Sequence, residues 1–263
     1  MRDYAIILAA DLPTADEVLC TVKKVGPIVD GVKVGVATLL EAGKSILSRI
    51  RDVVQDSPLL VDLKIADIGF LGHGVWQGTN SKIIRGLENS GATHVTVQGF
   101  PGPVSLAEAV ASAKEYGIKA LLLPLMSHAG AGLFFSRPID RSSLIAAVSR
   151  AGLEAHIPDD LPCRDITEGI LLLGEALNAD GYIGPATLPL DLQRFRTITR
   201  RRIWCPGFGR QDREGRSLSQ QFRQWAGIVG PVSAAIVGSA IFNAEDPAEA
   251  ARQIVAIRDE STT

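Results

Sequence analysis

Cysteine is scarce in this chain, and its placement excludes two kinds of scaffold. The 263 residues hold three, Cys20, Cys163 and Cys205, an odd number set far apart. They offer neither a disulfide framework nor a zinc-ligand spacing, and they fit a reducing compartment. Histidine is equally sparse: His73, His94 and His156 show no ligand spacing and read as structural or solvated, while His128 reads as a loop-stabilising residue. Long apolar runs are missing, since no stretch approaches the roughly 18 residues of a membrane span. The N-terminus starts on a strand-like segment with no signal-peptide pattern, so a cytoplasmic location is expected. An excess of either charge is missing too. The formal net charge is −2 and the pI is near 6.1, which gives no electrostatic case for a nucleic-acid or anionic-membrane partner. The short basic run Arg200-Arg201-Arg202 suits a helix C-terminus. No repeat, linker or low-complexity tract interrupts the chain. The dinucleotide fingerprint GxGxxG does not follow the first strand; Gly72-His73-Gly74 and Gly207-Phe208-Gly209 are only GxG fragments.

What is present is a regular alternation. At 46% hydrophobic and 21% charged, the chain can bury one large core. Strand-like stretches fall at about 4–10, 31–36, 59–65, 93–98, 118–124, 180–184, 202–206 and 234–238. Amphipathic helical stretches lie near 14–25, 38–54, 79–90, 104–116, 165–178, 188–199, 217–227 and 247–258. Asp246 suits an N-cap and Pro247 a first helical turn. Eight strand–helix units predict a single-domain (β/α)8 TIM barrel over residues 1–263, with chemistry on the loops that follow the strands. The segment from about 127 to 179 is long for one such connection, and an extra helix is expected near 140–151.

The most informative stretch is Leu59-Leu60-Val61-Asp62-Leu63-Lys64-Ile65-Ala66-Asp67-Ile68. A run this apolar reads as a buried parallel strand, where unpaired ionised groups are costly. Alternation along a strand puts Asp62 and Lys64 on one face and Val61, Leu63 and Ile65 on the other. Lys33 sits in a similar apolar strand, and a third strand ends on Asp11. Charges of alternating sign therefore meet at the ends of three strands. A structural ion-pair cluster is the plain alternative, but buried pairs are poor stabilisers, so function is the better reading.

The order of motifs carries a resemblance. Asp11, Val32-Lys33-Val34-Gly35, Asp62-x-Lys64-x-x-Asp67-Ile68 and Gln98-Gly99-Phe100-Pro101-Gly102 are followed by Met126-Ser127-His128-x-Gly130-Ala131. Gly184-Pro185-x-Thr187, Pro206-Gly207-x-Gly209-x-Gln211 and Val237-Gly238 continue the series. In this order, across nearly the whole chain, they resemble the orotidine 5′-monophosphate decarboxylase superfamily, in particular its archaeal-type branch. The resemblance implies a cofactor-independent decarboxylation, with no metal, through a Lys33-Asp62-Lys64-Asp67 array. Lys64 would stabilise a carbanion at C6 of the orotate ring and then protonate it. Asp62 would face the departing carboxylate. Asp11 and Lys33 would contact ribose hydroxyls, and Ser127 the pyrimidine edge, although a turn or N-cap hydroxyl fits Ser127 as well. Asp67 and Thr79 would reach into a neighbouring subunit, which implies a homodimer acting on a small-molecule nucleotide.

Two features depart from the pattern. Phosphate would lie between a gripper-type loop at about 206–219, with Pro206, Gly207, Arg210 and Gln211, and the segment Gly238-Ser239. Relatives usually carry an arginine where this chain has Ser239, and a hydroxyl cannot supply a bidentate charged contact. Arg210, Arg213 or Arg216 could substitute, or the substrate could lack the phosphate. The second departure is the glycine-rich stretch Gly69–Gly78, which places Thr79 12 residues after Asp67, farther than the family usually allows. Three other readings stay open. One is a specialised decarboxylase of an orotidine-like substrate, and another is a non-catalytic nucleotide-binding homologue. The third is a metal-dependent sugar-phosphate lyase; there Lys33 stands where a magnesium-binding glutamate is usual and would repel the ion.

Overall fold

A computed structural model describes residues 1–209 and 215–262. Its ten strands are β1 (Ala5–Ala9), β2 (Gly31–Gly35), β3 (Leu59–Ile65), β4 (Leu71–Gly72), β5 (Val75–Trp76), β6 (His94–Gln98), β7 (Lys119–Leu123), β8 (Gly181–Ile183), β9 (Arg202–Pro206) and β10 (Ser233–Val237). Eight of them close a parallel barrel in the order β1-β2-β3-β6-β7-β8-β9-β10, and β10 pairs back to β1. This is the TIM barrel expected from the alternation, with the strands near the positions read from the sequence.

The strands read as continuous apolar runs because both of their faces are buried. Ile7, Leu60, Leu121, Leu123, Trp204 and Ile236 fill the barrel interior. Neighbouring residues on the same strands, such as Ile6, Leu8, Val32, Val34 and Val61, pack outward under the helices. Helix starts follow local rules. Thr14 and Glu17 form a reciprocal capping box at Ala15–Val25. Asp246 Oδ1 accepts from the N–H groups of Ala248 and Glu249 at the start of Pro247–Thr262, as its N-cap position implies.

Several boundaries differ from expectation. The helix expected over 38–54 is two, Val36–Ala42 and Ser45–Val54, because Gly43 adopts φ +70° between them. The helix expected over 79–90 spans only Thr79–Arg85 and is closed by Gly86. Arg200 to Arg202 lie beyond Pro189–Ile198 rather than in its last turn, and Arg202 opens β9. The long β7–β8 connection carries helices at Gly132–Phe135, Arg141–Arg150 and Ile166–Ala176. The Gly69–Gly78 stretch folds into the antiparallel hairpin β4–β5, turned at His73 (φ +52°) and Gly74 (φ +77°), the paired positive φ values of a tight hairpin turn. Among the described residues, no helix is long and apolar enough to cross a membrane.

Candidate active site

The carboxyl ends of β1, β2 and β3 bring four charges into one chain of contacts. The Lys33 ammonium donates to both Asp11 oxygens, at 2.9 and 2.8 Å, and lies 3.4 Å from Asp62 Oδ2. Lys64 Nζ approaches the same Asp62 oxygen at 2.8 Å. Gly35 makes room for this: a Cβ there would stand 2.7 Å from Asp11 Oδ1. The Lys33 side chain is 9% exposed and Asp62 15%, while Asp11 and Lys64, at the two ends of the series, are 49% and 42% exposed. Lys64 is thus the cation presented to a ligand.

Burial pushes the Asp62 carboxyl up. The ammonium groups of Lys33 and Lys64, with hydrogen bonds from Lys64 and Thr96, more than offset that push and hold Asp62 below the usual carboxylate range. At neutral pH it is a fixed anion between two cations.

The backbone at Lys64 is unusual. The β3–β6 ladder pairs Val61 with Val95 but Ile65 with Val97, so three residues of β3 stand opposite Thr96 alone. The bulge places Lys64 at φ +49°, a region costly for a residue with a Cβ. Bulges of this kind re-aim side chains beside active sites.

These groups open onto a cavity of about 360 Å³. Leu60, Leu123, Ile183 and Ile236 provide its apolar floor, and Thr96, Met126 and Phe242 add to its wall. Ser127, Pro206, Gly207, Gly238 and Ser239 line it, so nine residues expected at the site from sequence converge there: these five with Asp11, Lys33, Asp62 and Lys64. Ser239 begins the short helix Ser239–Phe242 after β10. Arg210, Gln211 and Arg213 lie outside the described residues. Arg216 is directed to Gln224.

Asp67 and Thr79 do not join the array within this chain. Past the end of β3 the backbone is drawn aside: the Asp67 carbonyl accepts from Asn80 Nδ2 at 2.9 Å and Ser105 Oγ at 2.6 Å. The Asp67 N–H donates to Asn80 Oδ1. The contiguous series in one chain is therefore Asp11–Lys33–Asp62–Lys64, with Asp11 at the Lys33 end, opposite to the end at which Asp67 was expected. Buried Glu108 braces the same segment, accepting from the N–H groups of Phe70 and Ser81 at 3.1 and 3.3 Å.

Thr96, Asn80, Ser105 and Glu108 were not singled out from sequence. Thr96 left one signal, a hydroxyl inside the apolar alternation of β6; the other three sit on helices whose facing loop cannot be read from spacing. His94, at the opposite end of β6 and against the Trp204 ring, is pushed down to about 3 by burial and then by the positive charges of Lys119 and Arg202. It is a neutral structural group.

The family model described as "Orotidine 5'-phosphate decarboxylase / HUMPS family" matches residues 4–254. The chain is 31% identical over 257 residues to the orotidine 5′-phosphate decarboxylase of Methanosarcina barkeri, covering 97% of this chain and 95% of that protein. The structure of orotidine 5′-monophosphate decarboxylase from Methanocaldococcus jannaschii, complexed with inhibitor BMP, superposes with a TM-score of 0.75 at 24% identity, over 98% of this chain and 99% of that one. The orotidine 5′-phosphate decarboxylase of Pyrococcus horikoshii OT3 superposes at 0.71 with 25% identity, over 97% and 99%. With the whole barrel and its site-bearing loops inside the matched span, the chain belongs to the orotidine 5′-phosphate decarboxylase / HUMPS family.

Proposed function

We propose that this protein decarboxylates orotidine 5′-monophosphate to uridine 5′-monophosphate without a cofactor. The observation that carries the reading is the contiguous Asp11–Lys33–Asp62–Lys64 series opening on an apolar-floored cavity. Cleavage of the bond between C6 and the carboxylate releases carbon dioxide and leaves the electron pair on C6. A pre-placed ammonium stabilises that charge without reorganisation and then donates its proton to C6. Lys64 is the half-exposed cation and takes this role. Asp62, kept anionic by its two lysine partners, holds the ammonium in place and faces the carboxylate that leaves. Lys33, locked to Asp11, sets the other side of Asp62, and Asp11 with Lys33 meets the ribose hydroxyls. Ser127 contacts the pyrimidine edge.

The functional unit in this reading is a homodimer. Asp67 is exposed, and Val36, Leu40, Ile68, Phe70, Leu71 and Val75 form exposed apolar surface on the neighbouring segments. Burial of that surface against a second copy would carry Asp67 and Thr79 to the partner's site.

One observation favours a second reading, in which the substrate is an orotidine-like compound without a 5′-phosphate. Ser239 lines the cavity where relatives usually place an arginine, and among the described lining residues the cations are Lys33 and Lys64 alone. The test is carbon dioxide release from orotidine 5′-monophosphate beside unphosphorylated orotidine, with and without EDTA. Turnover of the nucleotide, unaffected by EDTA, supports the first reading. Preference for the nucleoside supports the second, and strong metal dependence removes both in favour of a sugar-phosphate lyase.

A further inference from the structure

We infer that Thr96 is a positioning residue for the reaction, a side chain that holds the proton donor and its anionic neighbour in register. The inference rests on the decarboxylase reading for its kinetic consequences, but its geometry is independent of any substrate. Thr96 is 1% exposed, and its hydroxyl both accepts and donates. It accepts the Lys64 N–H at 2.8 Å and donates its own proton to Asp62 Oδ1 at 2.8 Å. The other Asp62 oxygen, Oδ2, takes both ammonium groups. One hydroxyl therefore fixes the backbone of Lys64 and the orientation of the carboxylate to which the Lys64 side chain is tied.

The bulge explains why a hydroxyl is needed. Because Thr96 alone faces the three residues from Asp62 to Lys64, the strand ladder supplies no carbonyl in register with the Lys64 N–H. A buried N–H without a partner is costly, and a lysine at φ +49° would relax toward ordinary strand geometry once that tether is lost. Relaxation by one residue of register turns a side chain to the opposite face. Valine has the shape of threonine but neither donor nor acceptor, so it removes the tether without opening a cavity. Serine keeps it.

The experiment compares Thr96→Val and Thr96→Ser with wild type in carbon dioxide release from orotidine 5′-monophosphate, in thermal melting and in crystal structures. Misplacement of a donor acts on the chemical step, so Thr96→Val should lower kcat by roughly 10- to 100-fold with KM changed less than about threefold. Thr96→Ser should stay within about fivefold of wild type. In the valine variant Lys64 should leave positive φ or its ammonium should leave Asp62. A kcat within twofold of wild type, or a serine variant as impaired as the valine variant, overturns the inference. If Thr96→Val fails to fold, an impaired serine variant overturns it and an active one, with the tether seen in its structure, supports it. If wild-type protein releases no carbon dioxide from the nucleotide, the proposed activity has failed. The role of Thr96 is then decided by the valine structure, where an unmoved Lys64 overturns it and a displaced Lys64 supports it.

Discussion

Replacing Lys64 by alanine and by glycine separates what this residue does for the reaction from what it costs the fold. An ammonium about 4 Å from a carbanion contributes roughly 4 kcal/mol at an effective dielectric of 20, or about three powers of ten in rate. Loss of a positioned proton donor removes a further factor of about 10² to 10⁴. Lys64→Ala should therefore lower kcat by about five to seven powers of ten. Stability should barely follow. The ion pair with Asp62 is 2.8 Å long, but the Lys64 side chain is 42% exposed, and pairs so open to water contribute at most about 1 kcal/mol. Asp62 also keeps Lys33 and Thr96 as partners. The alanine variant still carries a Cβ at φ +49°, whereas glycine adopts that conformation without strain. Lys64→Gly should thus be as inactive as Lys64→Ala yet more stable by about 1 kcal/mol, a shift of roughly 2–4 °C in Tm for a domain of this size. Carbon dioxide release and calorimetric melts of the three proteins measure both quantities. An alanine variant that retains a tenth of wild-type kcat would refute the role given to Lys64. A glycine variant no more stable than the alanine variant would refute the strain.

Three further outcomes test other parts of the molecule. Arg210→Ala should reduce kcat/KM for orotidine 5′-monophosphate by about ten- to a hundredfold, the worth of one charged hydrogen bond at roughly 1.5–3 kcal/mol, and leave any turnover of orotidine almost unchanged; equal losses on both would make Arg210 structural. Specific activity should fall on dilution as the proposed dimer dissociates, so a monomer with full activity by light scattering would contradict the assignment of Asp67 and Thr79 to the partner's site. His94 accepts a proton near 6.5 in the unfolded chain but only at about 3 when folded, so its stabilising contribution is complete above about pH 6.5 and declines as the pH falls. Urea melts should show about 2 kcal/mol lost between about pH 7.5 and 5, a loss absent from His94→Phe; Asp62, whose folded carboxyl lies below its ordinary value near 3.8, adds its own loss only in more acidic solution.

Some of this was legible in the sequence and some could not be. Strands buried on both faces announce themselves as apolar runs, and a charge inside such a run is conspicuous, which is why Lys33, Asp62 and Lys64 could be read directly from β2 and β3. Alternation placed Asp62 and Lys64 on one face, and they do share a cavity, but Lys64 arrives there through a bulge that strict alternation does not contain. The signal for a bulge is a pairing register, and a register belongs to two strands distant in sequence. Thr96 left only a hydroxyl in an apolar strand, and its role could not be read for the same reason: its worth lies in what faces it. Asn80, Ser105 and Glu108 brace the Asp67 segment through backbone groups, which carry no sequence signature at all. The break at Gly43 is a local glycine effect that the longer helical periodicity concealed.

The division of labour around the barrel has a consequence for how the protein can change. Every member of the charge series, together with its tether, lies on or just after β1, β2, β3 and β6, whereas Pro206, Gly207 and Ser239 line the cavity from β9 and the segment after β10. The two arcs face each other across the cavity but are built from separate stretches of chain. Substitutions at Ser239 or within the loop after Pro206 can therefore retune what the far end of a substrate must look like without disturbing Lys64. Selection, or a designer grafting a relative's β9 and β10 loops, could alter what binds at that end while inheriting the charge series intact.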